Sequence, residues 1–365
     1  MQVAKQKQSL VRWLLMPFSW LYEVILLLRN VMYDAGVLKS HDVSHLPVIC
    51  VGNLTVGGTG KTPHTEYLIR LLQQCGWHVS VVSRGYRRKT SGLIHATQTM
   101  KSDDIGDEPW QMLHKYPEIE MVVSRDRYEG IMSLLSTDGG SKTEVVVLDD
   151  AYQHRKVRTG MNILLTDCNR LMCDDVLLPA GRLREPFSGR KRAQVVIVTK
   201  CGDITPEERN TIRQRLCLSD NQRLYFTRQK YQEIKRIFAE NGSKTLDLSE
   251  VSSVLLLTGI ATPQLLVHDL KERGLEVNML QYADHHRYTI ADEQHINEVF
   301  ESMASKNPIV LTTEKDAARL VQCKNLSDKV RASLYVLPLE IEFLMDGEEF
   351  NKYICDYVRQ NKRNV

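Results

Sequence analysis

Residues 48–63 read Val-Ile-Cys-Val-Gly-Asn-Leu-Thr-Val-Gly-Gly-Thr-Gly-Lys-Thr-Pro, an apolar run, then a glycine-rich stretch, then a helical pattern reaching Gln74. No other feature constrains the fold as much, because a phosphate cradle of this kind needs a strand behind it and a helix in front. Gly57, Gly58 and Gly60 let successive backbone N–H groups converge on phosphate oxygens without a Cβ in the way, and the helix N-terminus adds partial positive charge. Lys61 is placed to reach the β- and γ-phosphates and the Thr62 hydroxyl to ligate Mg²⁺. Thr55, Val56 and Thr59 complete the nucleotide-contacting loop. The strict G-x-x-x-x-G-K-[ST] pattern wants glycine where Thr55 stands, and Gly57 and Gly58 supply the flexibility instead.

Beyond residue 45, β-rich runs alternate with helical patterns. The runs are Val48–Val51, His78–Ser83, Met121–Ser124, Val145–Asp149, Asn162–Thr166 and Val195–Thr199, then Val254–Thr258, Val277–Gln281, Ile309–Thr313 and Leu334–Leu337. That rhythm predicts an α/β fold: a P-loop NTPase-like, mostly parallel sheet with helices on both faces, a second smaller α/β domain, and an N-terminal membrane-associated helix. The expected divisions are an N-terminal helical segment at 1–45, a P-loop domain at 46–223, a connection at 224–246 and a smaller domain at 247–365. With 42% hydrophobic and 25% charged residues the chain is neither disordered, collagen-like nor a polytopic membrane protein. A net charge of +3 gives no argument for nucleic acid as a partner, and no obligate protein partner is evident. The eight cysteines form no C-x-x-C pair and are read as free thiols, with Cys50 a small buried hydrophobe.

From Trp13 to Leu28 the chain is strongly apolar, with Lys5, Lys7 and Arg12 before it and Arg29 after. No small-residue cleavage site follows, which argues against an export signal. Sixteen residues rise about 24 Å, short of a hydrocarbon core of about 30 Å, and Pro17 and Glu23 lie inside the run. An interfacial helix fits better, since Trp13, Phe18, Trp20 and Tyr22 are residue types that settle at lipid headgroups. A helix simply packed on the domain is the competing reading, and a single membrane anchor the alternative.

A phosphate loop needs a metal-side carboxylate, and Val145-Val-Val-Leu-Asp-Asp150 delivers one at a strand end: Asp149 first, Asp150 close behind. A guanine reader is not found, because Thr199-Lys-Cys-Gly-Asp203 is one residue too long and Thr313-Glu-Lys-Asp316 has the wrong order. Arginine-bearing clusters follow strand ends at Ser83–Lys89 and Ser124–Arg127, on the side where open α/β sheets bind ligands. Asp107, in Gly106-Asp-Glu-Pro109, reads equally well as a hydroxyl-activating base or as a helix N-cap. His285, in Ala283-Asp-His-His286, could tune such a base from the second domain.

Taken in order, Val51–Pro63, Ser83-Arg-Gly-Tyr86, Gly106-Asp-Glu-Pro109, Leu148-Asp-Asp-Ala-Tyr-Gln-His154, Leu178-Pro-Ala-Gly-Arg-Leu-Arg-Glu-Pro186 and Asp284-His285 resemble the tetraacyldisaccharide 4′-kinase family of lipid A biosynthesis over nearly the whole chain. The resemblance implies ATP- and Mg²⁺-dependent phosphorylation of the 4′-hydroxyl of a tetraacylated glucosamine disaccharide 1-phosphate, giving lipid IV-A. It also implies a peripheral position on the cytoplasmic face of the inner membrane, with the lipid substrate and the membrane surface as partners. By matching motif, Asp107 is the candidate base and His285 its partner, with His286 adjacent. Asp149 and Asp150 match metal-side carboxylates, and Arg184 and Glu185 match residues near the nucleotide. Gly259-Ile-Ala-Thr-Pro263 departs from the family's Gly-Ile-Gly-x-Pro form. Rival readings are a nucleotide-driven switch ATPase, which needs no base, and a soluble small-metabolite kinase, which has no use for Trp13–Leu28.

Overall fold

The computed structural model describes residues 2–43, 46–136, 142–238, 245–260, 263–303 and 307–361. Each strand expected from the sequence is present to within two residues at either end. Val48–Asn53, Val145–Asp149 and Val195–Thr199 are buried at every position, which is why they read as unbroken apolar runs. Parallel strands with helices above and below have no solvent face to show.

The first sheet has nine strands, in the spatial order 339–343, 223–231, 195–199, 161–167, 48–53, 145–149, 79–83, 120–123 and 94–96. It is parallel except at its two edges, where Ile94–Ala96 and Leu339–Phe343 run antiparallel to their neighbours. The strand that feeds the glycine loop sits between Met161–Asp167 and Val145–Asp149, with Val51 opposite Asp149. Loop and carboxylate therefore leave the sheet at the same edge. Alternate residues of these strands build cores on both faces, Val48, Cys50 and Val146 on one and Ile49, Val51 and Val147 on the other. Burial pushes the Cys50 thiol up to about 12, as expected of a small hydrophobe rather than a nucleophile.

The second sheet has six strands, in the order 245–246, 234–236, 334–337, 308–313, 253–258 and 276–281. Its limits differ from those expected. Residues 224–246 are not a simple connection: Arg223–Tyr231 is a strand of the first sheet, and Ile234–Arg236 and Thr245–Leu246 are strands of the second. Near the sheet edge Arg223–Tyr231 is only part buried, and its interspersed charges hide the strand. The chain also returns to the first sheet after Pro338. Leu339–Phe343 pairs with Arg223–Tyr231, and the helix Gly347–Asn361 sets Phe350, Ile354 and Val358 into the first sheet's core. An apolar helical stripe does not say which of two cores it joins. The two crossings are adjacent, and Gln232 N–H donates to Pro338 O at 3.0 Å.

Cys75 and Cys355, expected as free thiols, are joined and tie the helix Lys61–Gln74 to the C-terminal helix. Their separation of 280 residues concealed the pairing.

The N-terminal helix is longer than its apolar run suggested, 33 residues from Gln2 to Asp34, and continues through Pro17. Its stretch Val11–Asp34, 24 residues, is long and apolar enough to cross a membrane, so length no longer argues against a span. It is not a core helix. Trp13, Leu14, Phe18, Trp20, Leu21 and Leu28 are exposed, while one stripe docks through polar contacts. Ser19 Oγ donates to Leu177 O at 2.9 Å and accepts from Ala180 N–H at 3.0 Å, and Arg155 meets Asn30 O at 3.0 Å and Asp34 at 2.5 Å.

Candidate active site

The phosphate loop is held from both sides. Val56 N–H donates to Arg182 O at 2.7 Å and Arg184 N–H to Leu54 O at 2.6 Å, so the Leu178–Pro186 motif runs alongside the loop. Asn53 Nδ2 donates to Thr59 Oγ1 at 2.6 Å, and Thr199 Oγ1 to Thr59 O at 3.0 Å. Gly57 has φ +110° and faces open space where a Cβ would stand, the shape of a cradle for an anion. At the helix start, His64 Nδ1–H donates to Gly60 O at 2.7 Å and its Nε2 accepts from Thr227 Oγ1 at 3.0 Å. Burial pushes this ring down to about 4, so it is a neutral structural histidine.

Asp149 and Asp150 stand beside the loop in unlike surroundings. Asp149 accepts from Thr65 Oγ1 at 3.3 Å and Ser83 Oγ at 3.1 Å. Burial, with Asp150 and Glu108 adding to it, pushes its carboxyl up to about 6 against the pull of Lys61. Asp150 sits at φ 44°, a conformation L-residues seldom adopt and one that collects at functional sites. It faces Lys61 at 3.7 Å and Arg184 at 2.7 Å. Burial opposes its charge, but those cations win and hold it below the usual carboxylate range. The same Arg184 fork reaches Asn53 Oδ1, which closes a ring of strand end, loop and carboxylate.

Across the cleft, Asp107 is not a cap. It is the first residue of the helix Asp107–Lys115, whose N-cap is Gly106 at φ 98°. Gly106 lies so close to Gly85 that an added Cβ would come within 3.0 Å of Gly85 Cα, which packs the two loops together and sets the helix start. The Asp107 carboxylate is buried and meets His285 Nδ1 at 2.6 Å. Lys315 Nζ lies 3.2 Å from His285 Nε2. An ammonium only donates, so Nε2 accepts and the ring proton sits on Nδ1, aimed at Asp107. Burial alone would raise Asp107, but the bonds from His285 and Arg319 outweigh it and hold the carboxyl below its ordinary range. His285 has φ 60°, and the Tyr86 ring stands edge-on to it at 5.5 Å. His286 turns away to Asp292 at 3.0 Å, so the geometry selects His285 as the partner.

The structure thus brings together Lys61, Asp149, Asp150 and Arg184 on one wall and Asp107 and His285 on the other. Thr62 lies in the first turn of the helix behind the loop, half-buried. Glu185 does not join either group: its carboxylate is buried against Arg192 at 2.5 Å and touches Asn30 of the N-terminal helix at 3.4 Å. Arg184 faces the loop and Glu185 faces away from it, toward Arg192. Ala261 and Thr262, within the departing Gly259–Pro263 turn, lie outside the described residues. Sequence reasoning missed Asn53, Thr65, Lys315 and Arg319. The segment around the last two was visible only as the Thr313-Glu-Lys-Asp316 string that fails as a guanine reader.

A buried strand, a glycine cradle with its lysine, paired aspartates and a separate carboxylate–histidine pair define the class: a P-loop kinase. The chain belongs to the family described as Tetraacyldisaccharide-1-P 4′-kinase, which matches residues 11–359. It is 46% identical over 363 residues to the tetraacyldisaccharide 4′-kinase of Bacteroides thetaiotaomicron, covering 97% of this chain and 94% of that one. The enzyme of the same name from Flavobacterium psychrophilum is 42% identical, covering 98% and 99%. Among solved structures, LpxK from Aquifex aeolicus in complex with ATP superposes with a TM-score of 0.73 at 28% identity, covering 95% of this chain and 99% of that one.

Proposed function

We propose that this chain transfers the γ-phosphate of ATP to the 4′-hydroxyl of a tetraacylated glucosamine disaccharide 1-phosphate, forming lipid IV-A in lipid A biosynthesis. The observation that carries this reading is the Asp107–His285 contact at 2.6 Å, a buried base pair that a switch ATPase does not need. The glycine loop and Lys61 bind the phosphate chain, and Arg184 with Lys61 offsets charge on the transferring group. Asp107 accepts the hydroxyl proton, while His285 holds that carboxylate in place through Nδ1–H.

Thr62, Asp149 and Asp150 suit Mg²⁺, which is held by one or two carboxylates and keeps other sites for water and phosphate oxygens. The Asp149 carboxyl pushed up to about 6 by burial and by Asp150 marks a surplus of buried negative charge that a cation relieves. When bound, the metal neutralises phosphate charge and orients the β and γ groups. The exposed apolar face of the N-terminal helix lies in the cytoplasmic surface of the inner membrane, as a peripheral contact or a single anchor. The acyl chains of the acceptor then remain in lipid.

The test is label transfer from γ-labelled ATP to detergent-dispersed tetraacyldisaccharide 1-phosphate, wild type against Asp107→Ala. Labelled lipid from wild type only is the expected result. Free phosphate without labelled lipid, equal in both proteins, returns the chain to the switch ATPases. Deleting residues 1–32 should release the protein from membranes, and unchanged membrane association with full activity would defeat the helix assignment.

A further inference from the structure

Arg319 lies on the short helix Glu314–Leu320 of the second sheet, and no motif in the chain pointed to it. We infer that Arg319 is a positioning residue for the base: it clamps the Asp107 carboxylate from the second sheet unit and leaves Oδ1 as the oxygen that receives the hydroxyl proton. The inference rests on the kinase reading above and specifies how its base is set.

The geometry is that of a fork. Arg319 Nε donates to Asp107 Oδ1 at 2.9 Å and Oδ2 at 3.0 Å, and Nη2 lies 2.9 Å from Oδ2. The remaining nitrogen, Nη1, donates to His285 O and, at 3.1 Å, to His286 O. One rigid guanidinium therefore fixes the carboxylate and the backbone turn that carries its histidine, and both side chains are largely shielded, 11% and 2% exposed. A flexible lysine offers no such planar template.

The contacts also divide the two oxygens. Oδ2 receives His285 Nδ1, Arg319 Nε and Arg319 Nη2, whereas among the described residues Oδ1 receives Arg319 Nε alone. A carboxylate oxygen has two lone pairs, so Oδ1 keeps one. The acceptor's O–H proton moves to that lone pair, its oxygen bonds the γ-phosphorus, and the bond to the bridging oxygen breaks with its electron pair leaving on ADP.

Other charges face the pair from each packed element: Glu108 from the base's own helix, Asp284 beside His285, Lys315 from the arginine's helix, and Arg87 and Tyr86 from the loop after Ser83. Lys315 meets Asp284 at 2.6 Å and Glu108 at 3.9 Å, and Arg87 binds Asp284 O at 3.1 Å, so these are mutually occupied. Arg319 is the cation in direct contact with Asp107, and against burial it helps keep that carboxyl below its ordinary range.

The experiment compares wild type, Arg319→Gln and Arg319→Lys in full-length protein. It reads kcat and KM for ATP, the pH profile of label transfer, and the ¹³C titration of the Asp107 carboxyl, assigned by its loss in Asp107→Asn. Arg319→Gln should lower kcat about 100-fold with KM for ATP unchanged. The acid limb and the carboxyl midpoint should both move up by about 1–3 pH units. Arg319→Lys should restore the midpoint and not the rate, because a point charge cannot fork. An unmoved midpoint in Arg319→Gln overturns the inference, whatever happens to kcat, and so does an unchanged kcat. If wild type itself labels no lipid, the kinase reading fails, and an unmoved midpoint then rejects the clamp separately. Should Arg319→Gln not fold, a wild-type kcat in Arg319→Lys overturns it.

Discussion

The first sheet presents Lys61, Asp149, Asp150 and Arg184 from loops and helix starts that lean on strands buried at every position. The second presents His285 from a turn at φ 60° and Arg319 from a seven-residue helix. Inside each sheet unit the packing is apolar, but the seam between them is charged. Lys115 bridges Glu66 and Glu314 at 2.7 Å each, Lys315 reaches Glu108, Arg319 reaches Asp107, and Gln322 donates to Ser102 Oγ at 2.8 Å. Polar seams part more readily than apolar cores, as interfaces between domains generally do. The Lys61–Asp150–Arg184 cluster thus lies within one sheet unit, whereas the Asp107–His285–Arg319 cluster forms only where the second unit docks.

The largest test of this contrast is Asp107→Asn. Transfer should fall about 1,000-fold while ATP binding by calorimetry stays at the wild-type value, since the nucleotide wall needs nothing from the seam. Lost ATP affinity would merge the two halves. Next is Lys115→Met, which strands Glu66 and Glu314 in a shielded seam; equilibrium urea unfolding should show a loss of about 3–5 kcal/mol. A stability within error of wild type would mean the seam is held by something other than these charges.

A smaller effect probes the first sheet alone. His64 titrates at about 4 when folded against an ordinary 6.5, so between those values the unfolded chain binds the proton and the folded one does not. Stability from this group is complete above about pH 6.5 and is lost as pH falls toward 4, by up to about 3 kcal/mol. His64→Gln should flatten the stability profile in that window relative to wild type, and parallel profiles would refute the assignment. The smallest effect concerns the N-terminal helix: Phe18→Ser should weaken partition into anionic vesicles about tenfold, with label transfer in detergent unaltered.

Much of the first sheet was legible because parallel buried strands announce themselves as apolar runs and its site residues sit at their ends. Arg223–Tyr231 was not, since this strand, one place in from the sheet edge, is only part buried and its charges interrupt the pattern. The C-terminal helix Gly347–Asn361 carries an apolar stripe that does not name the core it joins. Asp107 was ambiguous because a carboxylate at a helix start serves equally as cap or base; Gly106 takes the cap position, and the contact with His285 spans the two sheet units. Glu185 was misleading for a different reason, since its motif neighbour Arg184 faces the loop while its own carboxylate faces Arg192. Thr313–Asp316 fails as a guanine reader, yet its Thr313 caps the helix that carries Lys315 to His285 and Arg319 to Asp107.

What the amino-acid sequence determined by itself was local: strand, glycine cradle, lysine and helix within residues 48–74, where backbone stereochemistry and side-chain periodicity are complete inside the segment. The tertiary structure alone decided which distant groups meet. Asp107 is 178 residues from His285 and 212 from Arg319. Their meeting depends on how a short helix and a turn of one sheet pack against a helix start of the other, and no single segment carries that geometry.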